Sequence, residues 1–256
     1  MPKLFILKGL PGSGKSTYAL EELRRDGNTI RVNRDELRTM LHGNLKWSGT
    51  REKATVAAEK AIVRDALLRG QHVIVDDTNL LGSGVKRWQE FATSDAHVEI
   101  VDFTDVSIAT CIERDRLRTG TARVGRGVIE RMALTSGLID LSKHDKVAIV
   151  DVDGTLANLD HRLHFLERQP KDYDGFFKHV VYDEPIQSIV LAVRGLELSR
   201  HLVIILSGRP TTVGYGTEKW LLNADIPFQH LFMRQGGNHQ PDNEVKYALM
   251  ASMLTR

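Results

Sequence analysis

Cysteine is almost absent, long hydrophobic runs are absent, and charge of neither sign dominates. The single cysteine, Cys111, excludes an internal disulfide and fits a reducing compartment. No apolar run comes near the roughly 20 residues of a membrane span. The apolar part of the opening MPKLFILKGLPG is too short for a secretory signal, so a cytoplasmic protein without a membrane partner is expected. Net charge is only +2. Residues 1–143 hold 23 Lys and Arg against 19 Asp and Glu, and residues 144–256 hold 12 against 14. That asymmetry permits a polyanionic partner at the first half without demanding one. No internal repeat or low-complexity tract is present.

The composition, 41% hydrophobic and 27% charged, is that of an ordinary globular protein. At 256 residues the length suggests two domains, each able to bury its own core. Strand-like and helix-like segments alternate from the start. LFIL (4–7), TIRV (29–32), HVIVD (72–76) and VEIVDF (98–103) read as strands. Helices are expected over 15–25, 34–41, 51–69, 84–92, 106–118 and 128–135, with 119–127 a loop. This order argues a parallel α/β sheet. TSGLIDLSKHDK (135–146) reads as a linker. The alternation then restarts, with strands at 147–150, 202–206 and 228–232 and helices at 185–199, 212–223 and 244–254. The expected domains are 1–140 and 141–256.

GLPGSGKST (9–17) is a P-loop, with Gly9, Gly14, Lys15 and Ser16 in the fixed positions, and it has the strand before and the helix after that the motif requires. Its glycines, Gly12 among them, let backbone N–H groups turn inward around phosphates at a helix N-terminus. Lys15 can reach the β and γ phosphates and Ser16 can ligate Mg²⁺. NRDELR (33–38) follows the second strand, at the sheet edge where open α/β sheets bind ligands. Asp35 is placed to take a proton from an attacking hydroxyl and Arg38 to hold a substrate phosphate. A capping Asp35 with a solvated Arg38 is the alternative. ERDRLRTGTARVGR (113–126) puts Arg114 and Arg118 on one helix face, either as a lid closing over ATP or as a solvated face. Asp76 and Asp77 end the third strand, as a carboxylate near Mg²⁺ or as caps.

VAIVDVDGT brings Asp151 and Asp153 to a strand exit with their side chains on one face. One aspartate can act as nucleophile and the other as acid and then base. LVIILSGRP ends a further strand on Ser207, Gly208 and Arg209, which can hold phosphate oxygens. Lys246 can neutralise more of that charge.

With these motifs the sequence resembles the bacteriophage polynucleotide kinase–phosphatase family over nearly its whole length. The resemblance implies an α/β P-loop 5′-hydroxyl kinase with a parallel sheet, followed by a haloacid-dehalogenase-like 3′-phosphatase. By it, Lys15, Ser16 and Thr17 bind ATP and Mg²⁺, Asp35 is the general base on the 5′-OH, Arg38 binds the acceptor's phosphate and Asp77 sits near the acceptor. Arg114 and Arg118 are lid arginines, Arg118 clamping the ATP phosphates. Asp151 is the phosphatase nucleophile and Asp153 its acid/base, both at the metal. Arg162, Ser207, Gly208, Arg209 and Lys246 hold substrate, with Asp242 a weaker match. The implied partners are 5′-OH and 3′-phosphate ends of RNA or DNA and a downstream ligase, in the cytoplasm of a bacterial or phage-infected cell, with a homo-oligomer left open. Phosphatases of this type carry a late acidic pair, one member of which ligates Mg²⁺. The chain stops ten residues past Lys246 without that pair, so an impaired phosphatase or a truncated reading frame is expected. A small-molecule kinase acting on a nucleoside or antibiotic, and a nucleotide-dependent repair scaffold without turnover, are the competing functions.

Overall fold

A computed structural model describes residues 1–43, 48–92 and 96–254. The chain packs as two units, Met1–Arg123 and Val124–Arg256. The first opens with β1 (Lys3–Lys8), whose Leu4, Ile6 and Leu7 are fully buried, as suits a parallel strand covered on both faces. It continues through α1 (Lys15–Arg25), β2 (Thr29–Val32), α2 (Arg34–His42), α3 (Gly49–Leu68), β3 (His72–Val75), α4 (Gly82–Phe91), β4 (His97–Asp102) and α5 (Ile108–Arg116). Local chemistry starts the helices. Asn33 accepts from the Glu36 N–H to cap α2, and Ser48 from the Arg51 N–H to cap α3.

The strands pair in the order β2-β3-β1-β4, all parallel. Val63, Val73, Val75 and Trp88 form the main core on one side, and Leu7, Ala19 and Ile74 pack on the other. Because β2, β3 and β1 are neighbours running the same way, the segments after them share one edge. Those segments are NRDELR, DDTN and the P-loop.

The second unit begins with α6 (Arg126–Thr135), then β5 (Val147–Val150). An insertion follows that carries no sequence periodicity: β6 (Ala157–Asn158), α7 (Asp160–Leu163), α8 (Tyr173–Lys178) and β7 (Glu184–Pro185), with β6 antiparallel to β7. The regular alternation returns with α9 (Gln187–Leu198), β8 (Leu202–Pro210), α10 (Gly214–Asn223), β9 (His230–Arg234) and α11 (Asp242–Leu254). β5, β8 and β9 form a parallel sheet in that order over a core of Val150, Val203, Ile205, Trp220, Leu221 and Leu231. Among the described residues no helix is long and apolar enough to cross a membrane.

The units divide at 123/124, ahead of the boundary at 140/141 that composition suggests. The reason is a buried carboxylate. Glu130 of α6 is 1% exposed. Its Oε2 accepts from the Leu231 N–H of β9 at 2.7 Å, and its Oε1 takes the Arg126 Nε–H at 3.1 Å. Arg126 also reaches the Gln229 carbonyl at 2.6 Å. Helix α6 is therefore stitched to the second sheet. Removing one partner of a buried pair costs about 3 kcal/mol, so Glu130→Ala is expected to destabilise the second unit by that amount in denaturant titration, while Glu130→Gln loses less. A loss below about 0.5 kcal/mol, the usual size for a surface change, would mean that this carboxylate does not anchor α6.

Candidate active sites

In the first unit β1 runs straight into the P-loop. Gly12 adopts φ +85°, and a Cβ there would stand 2.4 Å from the Cys111 carbonyl oxygen; the loop passes α5 this closely only without a side chain. The Nζ of buried Lys15 donates to the carbonyls of Gly9 at 2.9 Å and Leu10 at 2.8 Å. Burial lowers its pKa from 10.5 to about 8, with the Asp76 charge the strongest influence in the other direction. The ammonium thus rests on carbonyls that phosphate oxygens can replace.

At the exit of β3 the two aspartates separate. Asp76 is 2% exposed and pairs with Arg31 of β2 at 2.7 Å. Burial raises its pKa against the pull of Arg31, the Ser16 hydroxyl and Lys15. Its Oδ1 is buried with no hydrogen-bond partner among the described residues. A bare carboxylate oxygen near a P-loop serine is the donor chemistry a hard divalent cation takes. Ser16 with Asp76 therefore fits Mg²⁺. Asp77 turns instead to α2, its Oδ1 accepting from the Arg34 N–H at 3.1 Å and its Oδ2 lying 2.9 Å from Arg34 Nη2. Arg34 also holds Glu59 at 2.8 Å. Glu59 is fully buried, and its pKa rises to about 8 through burial first and the Asp77 charge second.

Asp35 is 74% exposed and ion-paired to Arg38, which also meets Glu52 at 2.8 Å. Arg114 Nη1 lies 3.3 Å from the Gly12 carbonyl and 3.4 Å from that of Ser13. The expected helix to residue 118 is shorter. α5 ends at Arg116, so Arg118 lies past it rather than on a shared face, 3.6 Å from the Asp115 carboxylate. Both arginines still line one cavity of about 630 Å³ with Gly12, Gly14 and Thr17.

In the second unit the two aspartates after β5 meet different cations. Asp151 Oδ1 accepts from the Val152 N–H at 2.8 Å, and its Oδ2 takes Lys246 Nζ at 2.8 Å. Lys246 also contacts Asp242 at 2.7 Å. Burial works against its charge, but Asp151 and Asp242 outweigh it and raise its pKa. Asp153 Oδ1 receives Arg162 Nη2 at 2.7 Å and Arg209 Nε and Nη2 at 2.9 and 2.6 Å. Ser207 is buried and accepts from the Arg209 N–H at 3.2 Å. Gly208 leaves room for Asp242, whose Oδ1 would stand 1.7 Å from an added Cβ.

Both guanidiniums are wholly buried, and what balances them is Asp183, which no motif marks. It takes Arg162 Nε at 2.6 Å and Nη2 at 2.9 Å, His161 Nε2 at 2.8 Å, and Arg209 Nη2. Among the described residues the Nη1 atoms of Arg162 and Arg209 are buried without hydrogen-bond partners, two donors that an oxyanion would satisfy. Sequence reasoning missed Asp183 because VVYDEP has no periodicity. It missed Glu59 although a charge on the apolar face of α3 was a usable signal.

Residues 4–136 match the AAA domain model and residues 145–256 that of the polynucleotide kinase PNKP phosphatase domain. A protein of Autographa californica nuclear polyhedrosis virus named "Putative bifunctional polynucleotide kinase/RNA ligase" is 26% identical over 98% of this chain. The chain spans 38% of that relative's length. It is similar to chains in "Structure of Pnkp1/Rnl/Hen1 complex" (25% identity, 99% of this chain and 86% of that one, TM-score 0.42) and "Structure of the Pnkp1/Rnl/Hen1 RNA repair complex" (24%, 99% and 86%, TM-score 0.46). The chain thus belongs to the AAA-domain family through its P-loop unit, followed by a haloacid-dehalogenase-like unit of the PNKP phosphatase type.

Proposed function

We propose that the chain heals polynucleotide ends, transferring the γ-phosphate of ATP to a 5′-hydroxyl with its first unit and removing a 3′-phosphate with its second. The observation that carries this reading is the pairing in one chain of a P-loop cradle with a separate aspartate–arginine–lysine site. The kinase motifs lie within residues 1–140 and the phosphatase motifs within 141–256. The two family matches support the pairing, and the viral relative's name favours RNA ends and a ligase acting on the healed product.

In the kinase reaction Lys15 leaves the Gly9 and Leu10 carbonyls for the donor phosphates, and the P-loop N–H groups with Thr17, Arg114 and Arg118 hold the rest of the chain of charge. Arg38 holds the acceptor's phosphate. Asp35 takes the proton of the 5′-hydroxyl as its oxygen bonds to the γ phosphorus and the β–γ bridging bond breaks, releasing ADP. Mg²⁺ held by Ser16 and Asp76 would supply charge neutralisation at the phosphoryl oxygens.

In the phosphatase reaction an Asp151 oxygen bonds to phosphorus while the bond to the 3′ oxygen breaks. Asp153 gives that oxygen a proton, then takes one from the water that cleaves the aspartyl-phosphate, restoring Asp151 and releasing phosphate. Arg162, Arg209 and Lys246 surround the phosphate with donors. A second Mg²⁺ would draw on Asp151, with Asp153 beside it.

Asp35→Asn is expected to lower label transfer from γ-labelled ATP to a 5′-OH oligonucleotide by about 10²–10⁴-fold. Transfer at the wild-type rate removes Asp35 from this role. Asp151→Asn should reduce phosphate release from a 3′-phosphorylated oligonucleotide by about a thousandfold or more while leaving the kinase rate intact. Equal release by both forms contradicts the nucleophile assignment.

Lys15 sets a pH dependence. With the free-protein pKa lowered to about 8, Lys15 is charged below that pH and nucleotide binding is strongest there. Above it the free protein sheds the proton and affinity falls, with a limiting slope of about tenfold per pH unit, until the bound lysine also deprotonates. Calorimetric titration with a non-hydrolysable ATP analogue across this range, with Lys15→Arg for comparison, reads the slope. A flat wild-type profile contradicts the assignment.

A further inference from the structure

Helices α2 and α3 carry a ladder of paired arginines and acids, of which the proposed reaction uses only Arg38. Arg34 and Arg38 lie one turn apart on α2, and Glu52 and Glu59 two turns apart on α3. The lower rung is closed and buried, with Arg34 held by Glu59 and Asp77 at 2.8 and 2.9 Å. The upper rung is shared. Glu52 Oε2 takes Arg38 Nε at 3.2 Å and Nη2 at 2.8 Å, while its Oε1 stands 4.0 Å from Arg34 Nη1. The remaining nitrogen of Arg38, Nη1, donates to Asp35.

All three nitrogens of the Arg38 fork therefore face carboxylate oxygens, an arrangement that mimics the oxygens of a phosphate. A phosphate that takes the paired Nε–H and Nη2–H edge of Arg38 has to displace Glu52, whose Oε2 accepts from both. Asp35 has to stay close to the hydroxyl it deprotonates. Glu52 has another cation within reach, since Arg34 Nη1 is already at the outer limit of an ion pair. A small rotation of the Glu52 side chain would move its charge from Arg38 to Arg34 without leaving it unpaired.

Resting on the reading of Asp35 and Arg38 as acceptor-site residues, we propose that Glu52 is an anionic gate on that site, occupying the Arg38 guanidinium until the acceptor's own phosphate replaces it and then passing to Arg34. The gate makes phosphate binding at Arg38 a competition. Weakly held anions leave the pair closed. A phosphate placed beside a correctly seated 5′-hydroxyl opens it. An acceptor lacking that phosphate gains nothing from Arg38.

The test compares a nucleoside 3′-monophosphate with the unphosphorylated nucleoside as acceptors, in the whole chain with and without Glu52→Gln. The substitution keeps shape at a side chain 23% exposed, and a melting curve confirms the fold. The gate predicts that E52Q lowers the ratio of KM for the 3′-monophosphate to KM for the nucleoside by about twofold to fivefold, the scale of one partly exposed ion pair. A Glu52 that merely props Arg38 in place predicts the opposite, a ratio that rises, and a ratio that does not move also overturns the gate. Equilibrium binding of the 3′-monophosphate without donor separates this inference from the reading beneath it. No label transfer by the wild type, with tighter binding by E52Q, removes the kinase reading and keeps the gate. Transfer without any tightening removes the gate and keeps the reading, and neither effect removes both.

Discussion

A charge taken out of water has to meet its opposite, and both units are organised around that constraint. Parallel sheets gather their loops at the carboxyl ends of the strands, and in this chain those loops bring ionised groups against a well-packed apolar interior. Arg162 and Arg209 are wholly buried, and an unpaired guanidinium in that position would cost several kcal/mol. Asp183 and Asp153 receive them both. The same requirement joins Arg31 to Asp76 and Arg34 to Asp77 in the first unit.

At both sites some pairings are incomplete. Asp76 Oδ1, Arg162 Nη1 and Arg209 Nη1 are buried without hydrogen-bond partners among the described residues. Lys15 is satisfied only by neutral acceptors, two carbonyls and the Ser13 hydroxyl at 3.5 Å, and burial holds its pKa down to about 8. The missing partners have the signs that a nucleotide, a phosphate end and a divalent cation would bring. A site that is fully satisfied before its ligand arrives has nothing to offer it.

Much of this was legible along the chain. Short apolar runs with turns between them located β1, β3 and the start of β8 closely, because a buried parallel strand needs side chains of one kind on both faces. The P-loop and the DVDGT and SGR segments were legible because their chemistry uses neighbours in sequence. The stretch from residue 159 to 183 was not. It has no regular period and its short helices are fixed by tertiary contacts such as the stacking of Arg162 on Phe176 at 4.1 Å. Nor was the hold of α6 on the second sheet, which runs through Glu130, Arg126 and Arg131 to partners about 100 residues away.

The sequence by itself determined the class of fold, the order of the two units and the residues able to handle phosphate, because strand periodicity, glycine positions and motif spacing are local properties. Tertiary structure decided the pairing of charges. It turned Asp76 toward the P-loop and Asp77 toward Arg34, gave Asp183 the two arginines, set Glu52 between Arg34 and Arg38, and tied α6 to the second sheet. The physical reason is that counter-charges are chosen by distance and burial in the folded chain, across separations such as the 56 residues between Asp153 and Arg209, and no local pattern records them.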